Sequence, residues 1–116
     1  MNRNGFDLTM ITDELSRNTK YIFGDKLRKI ILYGSYARGD YNEGSDLDIM
    51  VLADFNDSEK LLLQAEVDKI AGSASLDYDI TISMILRDIN FFDAHVPVLP
   101  YYKNVVNEGV ELYVAG

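Results

Sequence analysis

Two apolar runs, "RKIILY" (28–33) and "DLDIMVLA" (46–53), flank the polar, glycine-rich segment "GSYARGDYNEGS". Each run has strand length rather than helix length, and the first ends at Gly34. In the second, Leu47, Ile49, Val51 and Ala53 form one apolar face, which places Asp46 and Asp48 together on the other. A chain with this centre has to build a sheet. The segments around it supply helices: Leu8, Ile11, Leu15 and Ile22 recur at helical spacing over residues 6–23, with Gly24 as the stop. "DSEKLLLQAEVDKIAG" (57–72) reads as a helix capped by Asp57 or Ser58 and ended by Gly72.

Beyond it, "LDYDITISMI" (76–85) alternates as a third strand. Leu76, Tyr78, Ile80, Ile82 and Met84 point one way, and Asp77, Asp79, Thr81 and Ser83 the other. "RDINFFDAH" reads as a short helix, and "LPYYKNVVNEG" (99–109) as another, with Pro100 in its first turn and Gly109 past its end. "VELYV" (110–114) closes the chain as an edge strand. Helix, strand, turn, strand, helix, strand, helix is an α/β (α+β) pattern, and the 116 residues suit one domain, spanning 1–116.

Composition excludes several classes. There is no cysteine, so neither a disulfide scaffold nor a thiolate metal site exists. No apolar run approaches a membrane span, and "MNRNGFDLTM" lacks the apolar core of a signal peptide, so the expected compartment is the cytoplasm. The net charge is −8. Residues 1–39 carry seven Lys/Arg against four Asp/Glu, and residues 40–116 four against fifteen. Such a field repels a nucleic-acid backbone, so no direct nucleic-acid binding is expected.

Asp46 and Asp48 stand about 6.6–6.8 Å apart along one strand face. Alternating acids are commonly no more than a solvated strand edge. Two carboxylates aimed at one space nevertheless repel and resist ionisation. Mg²⁺ relieves that conflict, since it takes oxygen ligands and binds one or two carboxylates together with substrate phosphates. "YGSYARG" adds a strand ending in Gly34-Ser35 followed by a helical turn, an arrangement suited to phosphate. Most Gly-Ser pairs are ordinary turns; here the pair precedes the acids by a short spacer.

That combination, Tyr33-Gly34-Ser35, a spacer, then Asp46-Leu47-Asp48-Ile49, resembles the signature of the polymerase-β-like nucleotidyltransferase superfamily. The spacer "YARGDYNEGS" and the ending "NVVNEGVELY" resemble its short, stand-alone members, the minimal nucleotidyltransferases. The resemblance spans roughly residues 6–114 and implies a small mixed β-sheet flanked by helices. It implies one further acid between apolar neighbours on a later strand. Tyr78-Asp79-Ile80 and Leu76-Asp77-Tyr78 both match; Asp79 is favoured, with Asp77 as runner-up.

By the same resemblance, Asp46, Asp48 and Asp79 hold two Mg²⁺ ions, Gly34 and Ser35 seat the phosphates of ATP, and Arg38 reaches the triphosphate. Arg38 reads equally well as a surface arginine at a helix end. The implied reaction moves a nucleoside monophosphate onto a hydroxyl and releases pyrophosphate. Minimal members are commonly paired with HEPN-domain toxins, whose tyrosine receives AMP; that partner is the leading expectation. Transfer to a small molecule of aminoglycoside type is the alternative, with a homo-oligomer completing the acceptor pocket, and inhibition by binding alone is the third reading. Arg87 and Lys103 read as surface charges, Tyr101 and Tyr102 as residues that pack a helix or a partner surface, and His95 has no companion ligand.

Overall fold

Asp7 opens the first helix of the computed structural model, which describes residues 7–116. Its carboxylate accepts from the Met10 amide at 3.2 Å, and helix α1 runs Leu8–Phe23. The expected start at Phe6 lies outside the described residues. A 3-10 turn leads into strand β1 (Leu27–Tyr33), which Gly34 ends before the one-turn helix α2 (Ser35–Arg38). Strand β2 (Leu47–Ala53) follows, then helix α3 (Asp57–Tyr78), strand β3 (Ile82–Asp88), helices α4 (Ile89–His95) and α5 (Pro100–Glu108), and strand β4 (Val110–Val114).

The four strands lie in the order β3-β2-β1-β4. β1 pairs antiparallel with both β2 and β4, whereas β2 and β3 are parallel and joined through α3. The sheet is mixed and flanked by helices, as the resemblance implies. One face carries Ile30, Leu32, Leu47, Ile49, Val51, Ala53, Ile82, Met84 and Leu86 against Ile11 and Leu15 of α1 and Val67, Ala71 and Ala74 of α3. The other carries Ile31, Met50 and Leu52 against Phe92, Tyr102 and Val105 of α4 and α5. With both faces covered, β2 is buried along almost its whole length. Among the described residues, no helix is long and apolar enough to cross a membrane.

Helix α3 departs from the sequence reading at both ends. Asn56 caps it, accepting from Glu59 N while the Glu59 side chain accepts from Asn56 N, a reciprocal capping box. At the other end the helix runs through Gly72 to Tyr78. Gly72 lowers helix propensity but does not forbid helix, and tertiary contacts hold the extra turns. Ala74 is buried, Tyr78 donates to Glu14 of α1 at 2.6 Å, and Ser75 Oγ accepts from Ile82 N at 3.0 Å. The third strand therefore begins at Ile82, not Leu76. Asp77 is an exposed helical residue, and Asp79 is the helix cap, with φ 55° in the left-handed region that aspartate tolerates.

Candidate active site

The loop before β2 is built to deliver two carboxylates. Asn42 accepts from Gly44 N at 2.8 Å through its side chain and from Ser45 N at 3.1 Å through its carbonyl, closing a tight turn. Tyr41 stacks on the buried Tyr36 ring with centroids 4.2 Å apart, tying the loop to α2. Leu47 N then donates to Thr81 O at 2.8 Å, which fixes where β2 begins. Asp46 is left exposed just ahead of the strand, and Asp48 is half-buried within it. Asp48 shares its face with Met50 and Leu52, so it lies at the end of the α4–α5 side of the sheet.

Gly34 is required by this carboxylate. Its φ is 75°, a conformation that disfavours side chains, and a Cβ there would fall 2.6 Å from Asp48 Oδ2. Burial pushes the Asp48 carboxyl above its ordinary range, and the negative charge of Asp46 pushes it further; Arg38 pulls it partly back. The pair is thus a site of negative potential that Arg38 offsets only in part, and a cation would relieve it.

Arg38 approaches from α2 and is already engaged. Its Nε donates to Asp40 Oδ2 and its Nη1 to Glu108 Oε1, each at 3.1 Å, and these two carboxylates raise the guanidinium pKa. Glu108 ends α5, so Arg38 links the glycine turn to the helix that covers the second face. Across the sheet, Asp48 is flanked by Tyr33 on β1 and Ser83 on β3. Burial, then its bond to Tyr101, drives the Tyr33 phenol well above its ordinary value, so it stays a neutral hydroxyl. That bond joins the two hydroxyls at 2.7 Å and brings Tyr101 over the site edge, where the sequence reading had it only as packing. Tyr102 does pack, being almost fully buried.

The structure brings Gly34, Ser35, Arg38, Asp46 and Asp48 to one end of the sheet. Asp79 is not brought into a cluster with the pair: among the described residues no three of His, Cys, Asp and Glu group so as to hold a metal ion. Instead Asp79 lines a cleft of about 440 Å³ together with Glu43, Ser45, Ser75 and Thr81. Glu108, Tyr101 and Ser83 were missed as site residues. Ser83 was legible as part of the polar face of its strand, but its pairing with Asp48 was not. The oxygen donors of Asp46 and Asp48 fit one Mg²⁺ that shares triphosphate oxygens.

The Nucleotidyltransferase domain family matches residues 11–111. Among curated proteins, "Putative protein adenylyltransferase MJ0141" of Methanocaldococcus jannaschii is 41% identical over 80 residues, which span 69% of this chain and 79% of that protein. Solved structures share the fold at lower identity. One, a "putative minimal nucleotidyltransferase", aligns with a TM-score of 0.57 at 18% identity, covering 92% of this chain and 97% of that one. Another, a toxin-antitoxin structure with AMP-PNP, aligns with a TM-score of 0.56 at 19% identity, covering 90% and 73%.

Proposed function

This chain is a nucleotidyltransferase, a member of the Nucleotidyltransferase domain family, and from that premise we propose that it moves AMP from ATP onto a protein hydroxyl. The observation that carries the reading is the Asp46–Asp48 pair, with Asp48 half-buried against the Gly34 backbone and its carboxyl pushed up by burial and then by Asp46. Asp46 and Asp48 would hold Mg²⁺, which when bound supplies the positive charge that the triphosphate and the leaving group require. Gly34 and Ser35 form the turn on which the phosphates rest. Arg38 is close enough to Asp48 to act on the same charge, and it does so while bonded to Asp40 and Glu108.

In the step itself, the acceptor oxygen attacks the α-phosphorus and a new P–O ester bond forms. The α–β anhydride bond breaks, pyrophosphate leaves, and the hydroxyl proton passes to a base. The proposed acceptor is a tyrosine of a HEPN-domain partner, with this chain as the antitoxin. Two facts support it: the similar archaeal protein carries a protein adenylyltransferase name, and a structure of the same fold is a toxin-antitoxin with AMP-PNP.

The test is to incubate the protein with labelled ATP and Mg²⁺, with and without the product of the adjacent reading frame, and to follow the label. Label on the neighbour, lost with Asp48→Asn while that variant keeps its circular dichroism spectrum, is the expected result. Label on an added aminoglycoside alone would replace the acceptor assignment. A stable complex with no label anywhere would replace transfer by masking.

A further inference from the structure

We propose that this site takes a single divalent cation together with its nucleoside triphosphate, because the sheet positions beside Asp48 hold Ser83 and Tyr33, neither of which supplies the third carboxylate that a second ion would use. The inference rests on the nucleotidyl-transfer reading and specifies the metal stoichiometry of that same site.

The register decides it. β2 and β3 run parallel with Asp48 beside Ser83, and neighbouring strands stand about 4.8 Å apart. Residues paired in this way project from the same face, so Ser83 is the β3 side chain that faces the acids. The register opens one pair earlier, at Leu47 and Ile82, and Leu47 N bonds the carbonyl of Thr81, again a hydroxyl residue. On the other flank of Asp48 stands Tyr33, a neutral phenol bonded to Tyr101. At neither position flanking Asp48 is there an anionic oxygen.

Other carboxylates do not fill the gap. Asp88 lies on β3 five residues beyond Ser83, roughly 16 Å along the strand. Asp40 and Glu108 are each held by Arg38 at 3.1 Å. Asp77 is exposed on α3, and Asp79 lies beyond the start of β3 on the helix cap, facing the cleft beside Ser45. Paired catalytic ions stand about 3.5–4 Å apart, and a second ion at that distance would draw on a further hard oxygen ligand from the protein. Asp46 and Asp48 together with triphosphate oxygens would hold one such ion, and a second would have no protein carboxylate of its own.

The experiment counts ions rather than turnover. The whole chain is saturated with the non-hydrolysable analogue α,β-methylene-ATP and titrated with Mn²⁺, followed by electron paramagnetic resonance. One bound Mn²⁺ per chain, with the six-line spectrum of an isolated ion, is expected. Ser83→Asp is expected to bind two, with the broadening of a coupled pair. Two ions on the wild-type chain, falling to one in Asp79→Asn, would overturn the inference and leave nucleotidyl transfer standing. A count of one in both the wild type and a folded Ser83→Asp would overturn the assignment of the position to Ser83. The wild-type count stands by itself should Ser83→Asp not fold. If neither protein binds Mn²⁺ with the analogue, the nucleotidyl-transfer reading falls too, and the two failures are thereby told apart.

Discussion

Asp48 carries opposing demands: it must be ionised to bind a cation, yet its surroundings favour the protonated form. Burial and then Asp46 raise its carboxyl above the ordinary range. A carboxyl raised in the folded state holds its proton more tightly there than in the unfolded chain. Its contribution to stability is therefore present below the ordinary carboxylate range and lost as pH rises through the raised value. Above that value both acids are charged and repel. Asp48→Asn should accordingly melt at a higher temperature than the wild type near neutral pH, the difference shrinking towards about pH 4. Thermal melts across that range, without metal or nucleotide, check the sign. The residues behind this behaviour were readable in the sequence as an Asp-x-Asp pair and a glycine in the preceding turn, although only Asp48 of the pair lies within β2. That the glycine backs the carboxylate itself was not readable, because the approach joins residues on different strands.

Helix α3 shows where local signals stop deciding. Gly72 after a helical run reads as a terminator, yet the helix continues for six residues beyond it. The segment "SASLDY" is compatible with either helix or strand. What selects helix is the fit of Ala71 and Ala74 into the core, and the anchors Tyr78–Glu14 and Ser75–Ile82. If Gly72 is interior helix, a Cβ there meets nothing within 4 Å. Gly72→Ala should then stabilise the protein by roughly 0.5–1 kcal/mol. Denaturant unfolding measures this, and a loss of stability would restore Gly72 as a terminator. Because α3 extends to Tyr78, the strand after it starts later, and Asp79 moves from a strand face to a helix cap.

For the molecule as a whole, the sheet divides the apolar residues into a large core under α1 and α3 and a small one under α4 and α5. The small core bears on function, since it seats the helix that carries Tyr101 and Glu108 to the site. Tyr102 is its largest buried side chain, packed on Phe92 with ring centroids 4.7 Å apart. Tyr102→Ala should cost roughly 3 kcal/mol. It should also loosen the Tyr33–Tyr101 and Arg38–Glu108 links, read as faster amide exchange over α5 than over α1. The element order, the mixed α/β class and the place of Asp48 on a strand face were set by the sequence alone, because strand alternation and helical spacing are local periodicities, whereas Asp46 falls just ahead of β2. Only the tertiary structure decided which residue stands beside Asp48. That depends on strand register, which follows from where α3 ends, and α3 ends where packing against distant residues ceases to support it.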